Sequence, residues 1–91
     1  MERLLYKITI TGSVQGVGFR WNAVREARSR GITGYAKNLD DGSVYIEAEG
    51  SGTQLDDFLI WCRTGPAFAS VESVVFDVAE AVGYRDFGIE R

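Results

Sequence analysis

The amino-acid sequence predicts an α+β fold in which two helices cover one face of an antiparallel sheet. Three observations lead to this prediction. Several short runs alternate hydrophobic with polar residues, which is typical of strands with one buried face. Two longer runs repeat hydrophobic residues at intervals of three and four, which is typical of amphipathic helices. The runs follow the order strand, helix, strand, strand, helix, strand, and one short extra strand comes last.

The first three elements lie before residue 39. Residues 4–11 alternate hydrophobic with polar side chains and predict the first strand. Residues 19–30 contain neither glycine nor proline and predict an amphipathic helix, for which Gly31 is a suitable C-terminal cap. The hydrophobic residues at helical spacing are Phe19, Ala23, Val24 and Ala27. Residues 32–38 predict the second strand.

A hairpin and the second helix follow. The Asp41-Gly42 pair predicts a hairpin turn, and residues 43–49 predict the third strand. Thr53, with Asp56 three residues later, predicts the N-cap of a helix that ends at Gly65-Pro66. The residues predicted to face the core from this helix are Leu55, Phe58, Leu59 and Cys62.

Two strands complete the predicted fold. Residues 71–79 predict the fourth strand and residues 84–90 the short fifth. Two strand-helix-strand halves in this order are typical of the ferredoxin-like α/β sandwich. We expect residues 1–91 to form one such domain.

The composition excludes several classes of protein and of active site. With 45% hydrophobic and 25% charged residues the chain is typical of globular proteins. No apolar run approaches the roughly 20 residues that cross a bilayer, and no signal-peptide layout is present. We therefore expect a cytoplasmic protein without membrane contact, and its size suits a monomer. The sequence contains no histidine and one cysteine, which argues against Ser-His and Cys-His catalysis and against a zinc site. Neither a metal nor another cofactor is expected.

The ten residues TGSVQGVGFR (11–20) combine three glycines with an arginine between the first strand and the first helix. Backbone N–H groups of a glycine-rich turn form a concave anion site, and the Arg20 guanidinium grips two oxygens of a phosphate. Residues 1–38 also hold seven of the ten Lys and Arg residues, against two acids. A phosphate or sulfate site is one interpretation. A plain turn with a solvated Arg20 is the other, with roughly equal support from the residue types alone.

Two motifs resemble the signatures of the acylphosphatase family. They are GSVQGVGFR at residues 12–20 and GYAKN at residues 34–38. The further residues that fit the family pattern are Gly42, Val44, Gly50, Gly65, Pro66, Ala69, Val71 and Phe87. The resemblance covers essentially the whole chain, and it implies the ferredoxin-like fold inferred above.

The resemblance also implies an activity. Acylphosphatases hydrolyse the carboxyl-phosphate bond of small acyl phosphates without a metal or a covalent intermediate, and inorganic phosphate is product and inhibitor. It implies that Arg20 binds the phosphate and that Asn38 positions the attacking water. The loop whose N–H groups assist Arg20 comprises Gln15, Gly16, Val17, Gly18, Phe19 and Arg20. Many family members have threonine at the position of Ala23, and Asn22 is polar where the family is often apolar.

Three alternatives to a free-standing acylphosphatase stay open. A ferredoxin-like module can bind RNA through aromatic residues on its open sheet face, and Tyr45 is a candidate for such a position. The acidic later strands and the absence of the expected aromatic pattern argue against nucleic acid. The second alternative is the acylphosphatase-like front domain of hydrogenase-maturation carbamoyltransferases, which is part of a long chain. The third is a family member that binds anions but has lost catalysis.

Overall fold

The computed structural model describes residues 2–91 and shows the predicted ferredoxin-like α+β arrangement. The helices are α1 (Phe19–Ser29) and α2 (Gly52–Thr64). The strands are β1 (Leu4–Ser13), β2 (Thr33–Asn38), β3 (Val44–Gly50), β4 (Ser70–Glu80) and β5 (Phe87–Glu90). They form one sheet in the order β4-β1-β3-β2-β5. Within residues 2–91, no helix is long and apolar enough to cross a membrane.

Strand β3 lies between β1 and β2 and is antiparallel to both. The register places Ile10 of β1 and Asn38 of β2 on opposite sides of the same residue, Val44. Because β1 and β2 therefore run parallel, their carboxyl ends lie at one end of the sheet. The loop that follows β1 and the hairpin that follows β2 begin there side by side.

The helices and one face of the sheet enclose the hydrophobic core. The side chains of Ile8, Ile10 and Ile46 are fully buried there, as the alternation in the sequence predicts. The predicted core faces of both helices are confirmed. Cys62 is one of these buried residues, and burial raises the pKa of its thiol.

Strand β1 is two residues longer than the predicted segment and contains a register shift between Thr11 and Gly12. Gly12 has a φ of +127°, and a Cβ at this position would lie 2.2 Å from the carbonyl oxygen of Ser70. Gly12 therefore permits the backbones of β1 and β4 to approach each other, and it is not part of the loop beyond β1.

The predicted N-cap of α2 at Thr53 is wrong, because Ser51 holds that position. The Ser51 hydroxyl accepts the N–H of Gln54, and the Gln54 side chain accepts the N–H of Ser51, which completes a capping box. Asp56 instead accepts a hydrogen bond from the Tyr6 hydroxyl at 2.8 Å and so ties α2 to β1. Helix α1 ends at Ser29, one residue before the predicted end, and its C-cap is Arg30 rather than Gly31; Gly31 follows in the left-handed conformation (φ +73°) and donates its N–H to the Arg28 carbonyl.

Strand β5 pairs in parallel with β2, at the edge of the sheet opposite β4. The chain reaches it through residues 81–86, which we call the crossing segment. The buried carboxylate of Glu49 accepts hydrogen bonds from the N–H groups of Val82, Gly83 and Tyr84 in this segment. Three consecutive N–H groups thus hold an internal carboxylate and fix the path to β5.

Candidate active site

The loop between β1 and α1 has a backbone that glycine adopts most readily. Gly16 and Gly18 have φ values of +75° and +78°. A Cβ at Gly16 would meet no atom within 4 Å, so this part of the loop faces open space. Gly18 is also the N-cap residue of α1 and supplies no side-chain cap, so N–H groups of the first helical turn remain available to an anion.

Arg20 lies half-buried in the first turn of α1. One of its guanidinium nitrogens lies 3.4 Å from the carbonyl oxygen of Glu90, to which it donates a long hydrogen bond. This contact orients the side chain across the end of β5. Further guanidinium N–H groups remain for a second acceptor, because an arginine carries five donors.

Arg20 and Asn38 line the same cavity, although 17 residues separate them in the sequence. This cavity, which we call the loop cavity, has a volume of about 200 Å³. Its lining residues are Val14, Gly16, Gly18, Phe19, Arg20, Trp21 and Asn38. The sheet topology thus brings both predicted principal residues to one site, together with the glycines of the loop.

Two of the predicted loop residues, Gln15 and Val17, are not among those lining the loop cavity. Val17 is partly buried and packs against the hydrophobic core. The side-chain amide of Gln15 points toward the hairpin after β2, where it donates to the carbonyl oxygens of Leu39 at 2.7 Å and Ser43 at 2.8 Å. The Gln15 side chain therefore connects the glycine-rich loop to the hairpin that follows Asn38.

The hairpin itself is closed by short-range hydrogen bonds. The Leu39 N–H donates to the Ser43 carbonyl, and the Gly42 N–H donates to the Leu39 carbonyl. The Asp41 carboxylate accepts from the hydroxyl of Ser43 at 2.5 Å and from its N–H at 2.9 Å. These bonds lower the pKa of Asp41. The hairpin gives Asn38 a defined end of β2 from which to face the cavity.

The two positions that the family pattern left in question, Asn22 and Ala23, do not line the loop cavity. Ala23 is fully buried in the hydrophobic core. The Asn22 side chain donates to the Gly18 carbonyl at 2.8 Å, on the turn where α1 begins. Asn22 therefore supports the junction between loop and helix.

Sequence reasoning missed a second cavity, which lies between α1 and β5 and has a volume of about 410 Å³. We call it the α1–β5 cavity. It shares Arg20 and Trp21 with the loop cavity. The signal for it in the sequence was weak, because the strand that forms its second wall, β5, is only four residues long.

Tyr45, the candidate aromatic residue of the open sheet face, is half-buried and bonded within the chain. Its hydroxyl donates to the Glu47 carboxylate at 2.6 Å, and the Tyr84 hydroxyl donates to the same carboxylate at 2.7 Å. Burial and the neighbouring carboxylate raise the pKa of Tyr45. A carboxylate in the middle of this aromatic group disfavours a nucleic-acid backbone on that face.

The loop cavity combines three chemical elements. Residues of the glycine-rich loop line it together with Arg20, and backbone N–H groups and a guanidinium are donors that suit an oxyanion. The Asn38 side chain offers an amide that both donates and accepts hydrogen bonds, which suits a bound water. Such a site can bind a phosphoryl group and hold a water beside it.

The chain is similar in sequence to known acylphosphatases. The family model for acylphosphatases matches residues 6–89. An acylphosphatase from Archaeoglobus fulgidus is 47% identical over 91% of this chain and 93% of its own length. An acylphosphatase from Shewanella amazonensis is 46% identical over 100% of this chain and 99% of its own length.

Solved structures show the same similarity. The crystal structure of acylphosphatase from Bacillus subtilis superposes with a TM-score of 0.95 at 37% identity, over 97% of this chain and 99% of that one. Full-length HypF, solved in a phosphate- and nucleotide-bound form, contains a similar unit with a TM-score of 0.92 at 27% identity. This chain matches only 12% of the HypF chain, however, whereas it matches nearly all of the Bacillus subtilis protein. On the family match and these identities, the chain belongs to the acylphosphatase family.

Proposed function

We propose that this chain hydrolyses acyl phosphates to a carboxylate and inorganic phosphate in the loop cavity. Arg20 and the backbone N–H groups of residues 15–20 bind the phosphoryl group, and Asn38 positions the attacking water. The observation that carries the proposal is the shared cavity of Arg20, Asn38 and the two left-handed glycines. Membership of the acylphosphatase family supports the activity.

The proposed role of Arg20 follows from charge and geometry. A phosphoryl group in transfer spreads negative charge over its three equatorial oxygens, and catalysis consists mainly of positioning and charge stabilisation. The planar guanidinium of Arg20 contacts two of these oxygens, and the N–H groups at the start of α1 contact the third. Gly16 and Gly18 keep the approach to these N–H groups free of side chains.

The proposed role of Asn38 is orientation, since an amide is not a base at neutral pH. Its carbonyl accepts one hydrogen bond from the water and holds it in line with the scissile bond. The proton of the water goes to a phosphate oxygen of the substrate. The leaving group is a carboxylate, which departs without protonation, so the reaction needs no general acid.

We also propose that the protein acts as a monomer in the cytoplasm and does not bind nucleic acid. The buried Cys62 is compatible with a reducing compartment. The Glu47 carboxylate between Tyr45 and Tyr84 supports the absence of nucleic-acid binding on the open face. Size-exclusion chromatography and an RNA-binding assay test the first and the last of these statements.

The experiment that tests the function measures hydrolysis of benzoyl phosphate, with p-nitrophenyl phosphate as the control substrate. We expect turnover of the first and little turnover of the second, because an alkoxide or phenoxide leaves less readily than a carboxylate. Arg20→Ala is expected to abolish most of kcat/KM and of the inhibition by inorganic phosphate. A charge-assisted contact of this kind is worth on the order of 2–5 kcal/mol, or at least about 30-fold.

Arg20→Lys is expected to restore little, because an ammonium group does not reproduce the planar fork. Arg25→Ala is the matched control, since Arg25 is an exposed arginine of the same helix that does not line the loop cavity. Near-normal inhibition by inorganic phosphate in Arg20→Ala would show that the phosphate site has been assigned to the wrong residue.

A further inference from the structure

The α1–β5 cavity is large enough for a small organic group. Its volume of about 410 Å³ lies within the range of about 300–1,000 Å³ that is usual for small-molecule sites. Its walls are partly apolar. Val24 is nearly fully buried at the base, Ile89 is half-buried, and the Trp21 side chain is 69% exposed to solvent. An exposed indole beside two aliphatic side chains offers a surface for a planar or apolar group.

The charged side chains that line the cavity are all positive. Three of its lining residues are arginines, namely Arg20, Arg28 and Arg91, and no acid of residues 2–91 lines it. Asp86 forms an ion pair with Arg28 at 3.3 Å, but both side chains are mostly exposed, so solvent screens this pair. The Arg28 guanidinium therefore stays available to a second anion, and the cavity attracts negative charge.

The α1–β5 cavity lies next to the loop cavity, and this position indicates which part of a substrate it can hold. Arg20 and Trp21 line both spaces, so the two cavities adjoin across these side chains. In an acyl phosphate, the phosphorus atom carries three terminal oxygens and one oxygen that bridges to the acyl carbon. When the phosphoryl group lies in the loop cavity, the acyl group therefore extends out of that cavity. The α1–β5 cavity is the adjoining space in which the acyl group can lie.

We propose that the α1–β5 cavity is the acyl subsite, and that it selects acyl phosphates whose acyl group carries a second anion on an apolar or planar body. Trp21, Val24 and Ile89 contact the body of the acyl group. Arg28 and Arg91 pair with its distal carboxylate or phosphate. This inference rests on the proposed function, since it places the phosphoryl group of the same substrate beside Arg20.

The test compares two nearly isosteric substrates, 4-carboxybenzoyl phosphate and 4-carbamoylbenzoyl phosphate, which differ by the charge of the distal group. The measured quantity is the ratio of their kcat/KM values at low ionic strength. Their intrinsic reactivities are the same for every variant, so a change of this ratio between proteins reports the contribution of the side chains alone. We expect the ratio to fall roughly five-fold or more in the double variant Arg28→Gln and Arg91→Gln, since exposed ion pairs contribute modest energies that add.

The matched control is the double variant Arg25→Gln and Arg63→Gln. It removes the same two charges from exposed arginines that do not line the cavity. We expect it to leave the ratio within about two-fold of the wild type, and we expect the wild-type preference to weaken in salt.

An unchanged ratio in the cavity variant, or an equal fall in both double variants, would overturn the acyl subsite and leave the proposed function intact. A wild-type protein that hydrolyses neither substrate, nor benzoyl phosphate, would overturn the proposed function and this inference together. The two failures are thus distinguishable.

Discussion

The Gln15 side chain connects two segments of the candidate site, the glycine-rich loop and the hairpin after β2. Its side-chain amide donates to the Leu39 and Ser43 carbonyls, on the hairpin that begins at Asn38. Each of these carbonyls also accepts a backbone N–H within the hairpin, so the hairpin remains closed without Gln15. The main effect of the Gln15 hydrogen bonds is therefore to fix the distance between the glycine-rich loop and Asn38.

Gln15→Met is therefore expected to lower kcat in molecules that are still folded. The methionine keeps the length of the side chain but removes both donors. We expect kcat for benzoyl phosphate to fall about ten-fold, because a displacement of about 1 Å at a positioned group costs as much as 10² in rate. The loss of unfolding free energy should be about 1–2 kcal/mol, which is the usual net value of one or two hydrogen bonds.

The same substitution in an Asn38→Ala background separates positioning from a general effect. If Gln15 acts by placing Asn38, we expect Gln15→Met to lower kcat less than about two-fold further once Asn38 is absent. An equal fall of kcat in both backgrounds would contradict the positioning role. Thermal unfolding of each variant corrects for the folded fraction.

Among the secondary-structure elements, Glu49 connects two parts of the chain as Gln15 does in the site, since it joins β3 to the crossing segment. Both oxygens of its buried carboxylate accept backbone N–H groups. In Glu49→Gln one oxygen becomes an NH₂ group that faces these donors, whichever way the amide is turned. We expect the free energy of unfolding to fall by about 1–3 kcal/mol, measured by urea denaturation.

Glu80→Gln, at an exposed position of β4, is the control and should cost less than about 0.5 kcal/mol. Equal midpoints for the two variants would mean that Glu49 does not hold the crossing segment.

The elements that the sequence predicted well are those with a periodic pattern. Alternation in residues 4–11 and the helical spacing of Phe19 and Ala23 report directly on burial, and burial decides their structure. Capping was predicted less well, because Ser51 and Thr53 are both acceptable N-caps and the choice depends on the partner Gln54.

Two features of the site were not predicted from the sequence. One depends on hydrogen bonds to backbone carbonyls, and the other depends on the pairing of strands that are far apart in the sequence. Gln15 donates to carbonyl groups, which every residue possesses, so no side-chain pattern marks its partners. The α1–β5 cavity exists because β5 pairs in parallel with β2 on the far side of the sheet from β4. The pattern of residues 84–90 predicted a strand, of which only residues 87–90 form β5, and it did not predict that this strand pairs with β2.

At the scale of the whole molecule, the sheet order creates the site. Strand β3 lies between β1 and β2, so the ends of these two strands, and with them Arg20 and Asn38, meet at one end of the sheet. Strand β5 then adds the second cavity beside Arg20. The fold thus brings the proposed phosphate site, the proposed water-positioning residue and the proposed acyl subsite next to one another along α1.

The measurement that tests the central claim most directly is the effect of Asn38→Ala on catalysis and on phosphate binding in the same protein. If Asn38 only orients the water, we expect kcat for benzoyl phosphate to fall by roughly 10² or more, as when one preorganised hydrogen bond is lost. The inhibition constant of inorganic phosphate should stay within about two-fold of the wild type, because Arg20 and the loop N–H groups still bind that anion. A normal kcat per folded molecule, together with a large fall in melting temperature, would make Asn38 a structural residue and contradict the account.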